Sequence, residues 1–313
     1  MELQEDPSSP DDPEAPPDGQ RSFAGICRQH AVTAGLSEPI GELTPSLAMT
    51  VLAIAGMVES PLAALDEESV TASFVARMAA HYAWAVAFLG KDGPPALWGQ
   101  YSKNGQGEGA ESRRGADFAL VVPQSAERVR VAIFQAKKVR GGVVQLGQEG
   151  SATHSAPQLA KLIETAATIE QDLGLDVGGG AWVHYVFWNE QDKVPGSVSL
   201  AELEINDSGM EIDVQTGGFV SLADLLSGAM RAQAPHWQSG AVIVDGWLEL
   251  AMEEAVSFLP KLLAVTDAIF VDDEGSAGGL AHALSMAAPV HLQAQRERAD
   301  VLLQPTATRS LGI

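Results

Sequence analysis

Asp117, Gln135 and Lys137 are the residues whose types and spacing point most directly to chemistry. A carboxylate, an amide oxygen and an ammonium gathered at one end of a β-hairpin make a metal-dependent hydrolytic site. Hard divalent cations take oxygen ligands and keep several waters, and a fixed positive charge beside them holds a nucleophilic water or stabilises developing charge. Asp117 opens the run Asp117-Phe-Ala-Leu-Val-Val122, and the other two close Arg128-Val-Arg-Val-Ala-Ile-Phe-Gln135-Ala-Lys137-Lys138. Both runs are rich in Val, Ile and Phe and flank the turn-like Pro123-Gln-Ser-Ala-Glu127, a pattern that predicts two strands joined as a hairpin. A turn centred near Ala126 sets Asp117 opposite Gln135. Strand alternation then puts Val129, Val131, Ile133, Gln135 and Lys137 on one face. An ammonium ending an apolar row needs an anionic partner, because an unpaired buried charge is strongly disfavoured. Asp117 is placed to be that partner.

These residues resemble the PD-(D/E)XK nuclease superfamily, the restriction-endonuclease-like fold, in the Mrr-like variant with Gln before X-Lys. Gly115-Ala-Asp117 looks like the first half of the motif without its Pro, and Gln135-Ala-Lys137 like the second half with one negative charge fewer. The resemblance covers residues 68–190, including a helix from Ser155 to Leu173 and a further apolar strand from Ala181 to Asn189. It implies an α/β fold, a mixed β-sheet flanked by helices, with a C-terminal α/β extension. It also implies roles: Asp117 binds Mg2+ or Mn2+, Gln135 supplies a further ligand oxygen, and Lys137 activates or orients the attacking water. Glu111, six residues before Asp117, is the best additional carboxylate. Members of the family often take this acid from an earlier helix, which leaves Glu59, Glu67 and Glu68 as competitors. The implied activity is phosphodiester hydrolysis by an endonuclease, on DNA in preference to RNA, in bacterial restriction or anti-phage defence. The alternative is a catalytically inactive nuclease-like binding or scaffold module in a defence assembly, with residues 201–313 making the protein contacts.

Charge bears on the substrate independently. A formal charge of −22 counts against a nucleic-acid partner, whose affinity comes largely from Lys and Arg meeting phosphates. The basic residues are unevenly placed, however. Seven of nineteen, namely Arg113, Arg114, Arg128, Arg130, Lys137, Lys138 and Arg140, fall between residues 111 and 140 against three acids, a local excess of four positive charges. That stripe suits a phosphate substrate, and a solvated strand surface explains some of it equally well. Downstream, Ser155 is a candidate N-cap with Pro157 in the first turn, and Leu159, Leu162, Ile163 and Ala166 form an apolar stripe for packing on the sheet. Gln158 and Lys161 then point from the helix start toward the site. Arg113, Arg114, Lys138, Arg140, Gln158 and Lys161 make up the expected nucleic-acid contacts, although surface decoration also accounts for Lys161.

Composition sets the frame. A chain of 313 residues with 46% hydrophobic content has ample material for a core, and the single Cys27 rules out an intramolecular disulfide framework. Residues 1–20 hold seven acids, five prolines and no Lys or Arg, the composition of a disordered tail. Residues 21–195 are expected to form the nuclease-like domain including N-terminal helices, and residues 196–313 a C-terminal α/β extension. Helices are predicted over 45–58 and 68–89, with His81, Tyr82 and Trp84 in the core, and a loop over Gly99–Gly109. Amphipathic helices are predicted over Val220–Gln233 and Trp247–Ala264, and a strand over Ala268–Asp273. The apolar run Ala79–Leu89 is too short to span a membrane, and the acidic start lacks the pattern of a secretory signal. No membrane association and a cytoplasmic location are therefore expected, with a second copy or a defence-complex partner left open.

Overall fold

A computed structural model describes residues 18–60, 65–89, 97–101, 115–124, 128–146, 157–175, 179–188, 194–203, 211–213, 219–230, 240–251, 254–255 and 266–268. Three helices come first: α1 (Asp18–Thr33), α2 (Pro45–Val58) and α3 (Glu67–Leu89). Strands β1 (Leu97–Tyr101), β2 (Phe118–Pro123), β3 (Arg128–Lys138) and β4 (Val143–Gln145) precede α4 (Pro157–Asp172). Next come β5 (Val183–Trp188), β6 (Gly196–Ser199), β7 (Glu211–Asp213), β8 (Val220–Ser221) and α5 (Leu222–Met230). Finally β9 (Val242–Val244), β10 (Trp247–Ala251) and β11 (Thr266–Ala268) complete the described elements.

The eleven-residue β3 is the axis of a mixed sheet. β2 runs antiparallel along one edge in the register Phe118↔Phe134 to Pro123↔Val129. Its other edge is shared: β10 pairs antiparallel with Arg128–Val131, and β5 pairs parallel with Ile133–Lys138. β1 and β11 extend the sheet beyond β2, and β6 and β8 extend it beyond β5. β6, β8, β9, β10 and β11, all beyond residue 195, therefore sit in the same sheet as the central hairpin, while β7 does not. Helices cover both faces, so the protein is a mixed α/β structure with a helix-flanked mixed sheet.

Period-2 alternation sorts the strand residues between two cores. Phe118, Leu120, Ala132, Phe134, Ala136, Val186 and Trp247 bury against α1, α2, α3 and α5. Val121, Val131, Ile133, Tyr185, Phe187, Leu248 and Leu250 bury on the opposite face with Leu159, Leu162, Ala166 and Ile169 of α4. The two-stranded β4–β7 sheet contributes Val144 and Ile212 to that second core. The stacked register pair Phe118 and Phe134, 4.9 Å apart, helps fix the hairpin, because a one-residue slip would throw every buried side chain to the wrong face.

Local chemistry accounts for the helix starts. The Thr44 side chain accepts from the Leu47 N–H at 3.2 Å with Pro45 in the first turn, and α2 is apolar around most of its circumference because it is buried. Asp66 does the same for α3, accepting from the Ser69 N–H at 2.7 Å, and Glu67 and Glu68 follow where the helix dipole favours negative charge. α3 alone among the described residues is long and apolar enough to cross a membrane by length and composition. The apolar run Ala79–Leu89 is the C-terminal part of this 23-residue element. Phe74, Val75 and Met78 of α3 are buried in the core that α2 shares.

Several expectations need correction. Trp247–Ala251 is a strand, not the start of a helix: Leu248 and Leu250 enter one core, Trp247 the other, and Glu249 faces Arg130 across the ladder. Residues 99–101 belong to β1 rather than to a loop. Ile163 is 52% exposed, its place on the buried stripe of α4 being taken by Ile169, and Trp84 is 62% exposed rather than core. Val220 and Ser221 form β8, with α5 beginning at Leu222. α1, starting at Asp18, was not anticipated, and residues 1–17 lie outside the described residues.

β9 and β10 are joined by Asp245-Gly246, both with positive φ (50° and 79°), the two-residue turn whose twist suits an antiparallel pair. Its Gly246 carbonyl lies 2.7 Å from His184 Nε2, while His184 stacks on Phe134. Burial lowers the His184 pKa from 6.5 to about 4, against a smaller opposing effect of the Gly246 carbonyl. The folded pKa is depressed, so the unfolded chain binds the extra proton between these values. The stability from neutral His184 is then complete above pH 6.5 and is lost as pH falls toward 4. We predict a contribution on the order of 3 kcal/mol across that window. Urea unfolding at a series of pH values should show a shallower acid slope for His184→Phe than for the parent; equal slopes would sink the assignment.

Candidate active site

The site forms where β3 leaves the sheet. Asp117 directly precedes β2, and its N–H donates to the Phe134 carbonyl at 2.8 Å, carrying the hairpin ladder one step past Phe118. Asp117 is buried at 9% exposure, and its Oδ2 accepts from Gln135 Nε2 at 2.6 Å and from the Ala136 N–H at 2.7 Å. The expected pairing of Asp117 with Gln135 is therefore present. Two N–H donors on one carboxylate oxygen fix its direction.

Gly115 shapes the approach. Its φ is +73°, and a Cβ there would lie 2.4 Å from the Gln158 carbonyl oxygen and 2.9 Å from the Leu162 nitrogen. Only glycine lets this backbone lie against the first turn of α4. That contact brings Gln158 to the end of β3, where its Oε1 accepts from Lys137 Nζ at 3.0 Å.

The carboxylate paired with Lys137 is Glu67, at 3.4 Å, where the sequence reading placed Asp117. Glu67 opens α3, and its other oxygen accepts from the Lys138 N–H at 3.1 Å, so one side chain holds two consecutive residues of β3. It was a competitor for the additional acid, seventy residues upstream of Lys137. The sequence signal for its position was Asp66 as an N-cap followed by two acids. Glu111, the preferred candidate, lies outside the described residues, as does Ser155.

The basic stripe divides. Arg130 is 1% exposed, bonded to Glu249 at 3.0 Å and to the Gly228 carbonyl at 2.9 Å, and Arg128 also donates to Glu249. These two serve the packing of β10 and α5 and do not face a phosphate. The Lys138 ammonium donates to the Leu65 carbonyl at 2.8 Å, Arg140 is exposed, and Lys161 is half-buried on α4. Arg113 and Arg114 lie outside the described residues.

Tyr185 was missed from sequence. It is the register partner of Gln135 across the parallel β3–β5 pair and is fully buried. Neither its hydroxyl nor Gln135 Oε1 has a hydrogen-bond partner among the described residues. Burial, then the charges of Asp117 and Glu67, raise the Tyr185 pKa above its ordinary value, so the phenol keeps its proton. The only signal was alternation along the Val183-Tyr185-Phe187 face.

Asp117, Gln135, Lys137, Glu67, Gln158 and Tyr185 thus form an oxygen-rich polar cluster at the end of an apolar sheet. Among the described residues no three His, Cys, Asp or Glu side chains gather into a metal-holding group. Protein-family models, curated proteins and solved structures contain no match to this chain. Its class rests on its own architecture, a mixed α/β protein with polar chemistry at the end of its central strand.

Proposed function

We propose that this protein is a divalent-metal-dependent nuclease with a restriction-endonuclease-like core, hydrolysing phosphodiester bonds in DNA in the cytoplasm, in a restriction or anti-phage role. The observation that carries the reading is the hairpin register, which sets Asp117 against Gln135 with Lys137 two residues further along the same face, beside the helix-borne Glu67. Helices on both sides of a mixed sheet, with α4 connecting parallel β3 and β5, are consistent with it.

The residues fit a hard cation. Asp117 and Gln135 would hold it, with Glu67 in reach of the same strand end, and a Mg2+ ion needs few protein oxygens because it keeps waters. The orphaned Gln135 Oε1 supports this fit. Its amide nitrogen faces Asp117, and half a turn of the amide would turn the oxygen that way instead, where a bound cation would favour it. When bound, the cation would supply charge neutralisation at the phosphate and a water of lowered pKa. Asp117 is held in position by the Ala136 N–H at 2.7 Å, whichever way the Gln135 amide turns. Lys137, aimed by Gln158, offers its ammonium to the attacking water or to a phosphate oxygen, exchanging its Glu67 contact for the substrate's charge.

Purified protein incubated with supercoiled plasmid, linear DNA and RNA in Mg2+ or Mn2+ should cleave DNA and stop on chelation. Intact substrates under all these conditions would overturn the reading. A scaffold module is the alternative, favoured by the acidic charge of −22 and by the engagement of Lys137 with Glu67 and Gln158. The phosphate contacts are tested separately: replacing Arg113, Arg114, Lys138 and Arg140 with Ala is expected to reduce the salt slope of DNA binding by about one per lost contact. An unchanged slope would assign these residues to a solvated face.

A further inference from the structure

Tyr185 holds a proton in a place where a proton donor has a use. A buried phenol ordinarily bonds an acceptor, and a buried amide oxygen a donor. Here, among the described residues, one of each stands unpartnered on neighbouring strands at paired register positions, both fully buried. Paired positions on parallel strands send their side chains to the same face, the one α4 covers, and Tyr185 is further fixed by stacking on Phe187 at 6.3 Å and 6°. A single water held there by a bound cation would satisfy both orphans at once, since buried waters make two to four hydrogen bonds and this one would have a donor, an acceptor and the Asp117 carboxylate nearby.

We propose that Tyr185 is a positioning residue of this site, its hydroxyl donating to a water in the hydration shell of the divalent cation held at Asp117 and Gln135. The inference rests on the metal-dependent reading above and adds a residue to it. Tyr185 suits the role because its hydroxyl stands at the register position paired with Gln135 and has a proton to donate, kept there first by burial and then by the charges of Asp117 and Glu67. It fixes the orientation of that water without competing with Asp117 or Gln135 for the cation, as residues outside the immediate ligand set of a metal do. The hydroxyl then costs stability when no cation is present, and contributes to affinity when one is.

That opposition supplies the test. Tyr185→Phe keeps the ring and removes one oxygen. Its thermal midpoint without added metal is expected to equal or exceed the parent's, because an unsatisfied buried hydroxyl is gone. Its Mn2+ affinity, read by electron paramagnetic resonance of the free ion, is expected to fall about tenfold. The rise in midpoint that a fixed, subsaturating Mg2+ concentration gives the parent should shrink accordingly. If the parent binds Mn2+, Asp117→Ala does not, and Tyr185→Phe binds as the parent does, the role of Tyr185 is overturned while the metal site stands. A lowered midpoint without metal combined with parental Mn2+ affinity overturns it as well, since the hydroxyl then serves the fold. Absence of Mn2+ binding by the parent overturns both this inference and the nuclease reading.

Discussion

Asp117→Ala and Lys137→Ala are each expected to lower the rate of Mg2+-dependent DNA cleavage by about 10²- to 10⁴-fold, the scale on which single acid–base or charge-stabilising groups act. The motivating geometry is the carboxylate fixed by Gln135 and Ala136 at 2.6 and 2.7 Å, with an ammonium two residues along the strand. The two variants differ in what else they disturb. Removing Asp117 strands two buried donors, at a stability cost of about 1–3 kcal/mol, so its activity must be read on protein shown to be folded. Asp117→Asn keeps an oxygen for those donors and removes the charge, which separates the two effects. Lys137 is only partly buried, and its loss should leave the fold intact while lowering kcat more than it raises KM. Glu67→Gln supplies the complementary test: the amide keeps a hydrogen bond to Lys137 and loses the charge. Parental cleavage by both alanine variants, with unchanged metal dependence, would place the chemistry elsewhere.

The hairpin was legible because two constraints coincide there. Alternation fixes which residues share a face, and a turn position fixes which residues lie opposite, so Asp117 and Gln135 met as expected. The same alternation could have been carried further. Arg128 and Arg130 stand at even positions, on the opposite face from Gln135 and Lys137, and counting them into one basic stripe ignored that. β10 was hidden for another reason: Trp-Leu-Glu-Leu-Ala-Met-Glu-Glu is built of good helix formers, and the strand exists because β3 offers an edge and Arg130 needs a carboxylate. The Asp245-Gly246 pair in front of it was the local sign of a hairpin that outweighs propensity. Glu67 was readable as an acid at a helix start but not as the partner of Lys137, because a contact across seventy residues is settled by helix-on-sheet packing.

Glu249 is where the protein should be most fragile outside the site. Its two oxygens accept from Arg128 and Arg130, and Arg130, at 1% exposure, has no route to bulk water for its charge. Glu249→Ala is therefore expected to destabilise the fold by about 3–5 kcal/mol, the scale for breaking a buried pair by removing one member. That is a large share of the 5–15 kcal/mol that typically holds a domain together, so the urea midpoint should fall sharply. The double variant Arg130→Met/Glu249→Leu removes both charges together and is expected to recover most of the loss, because desolvating the pair offsets much of its attraction. A shift below about 1 kcal/mol for Glu249→Ala would mean the pair is screened like a surface one. β10 meets β3 at Arg128–Val131, the end away from Gln135 and Lys137. The folded fraction of Glu249→Ala should thus cleave DNA at the parental rate, whereas Lys137→Ala should fold and fail to cleave. That opposite pair of outcomes distinguishes the residues that hold the sheet together from those that act at its end.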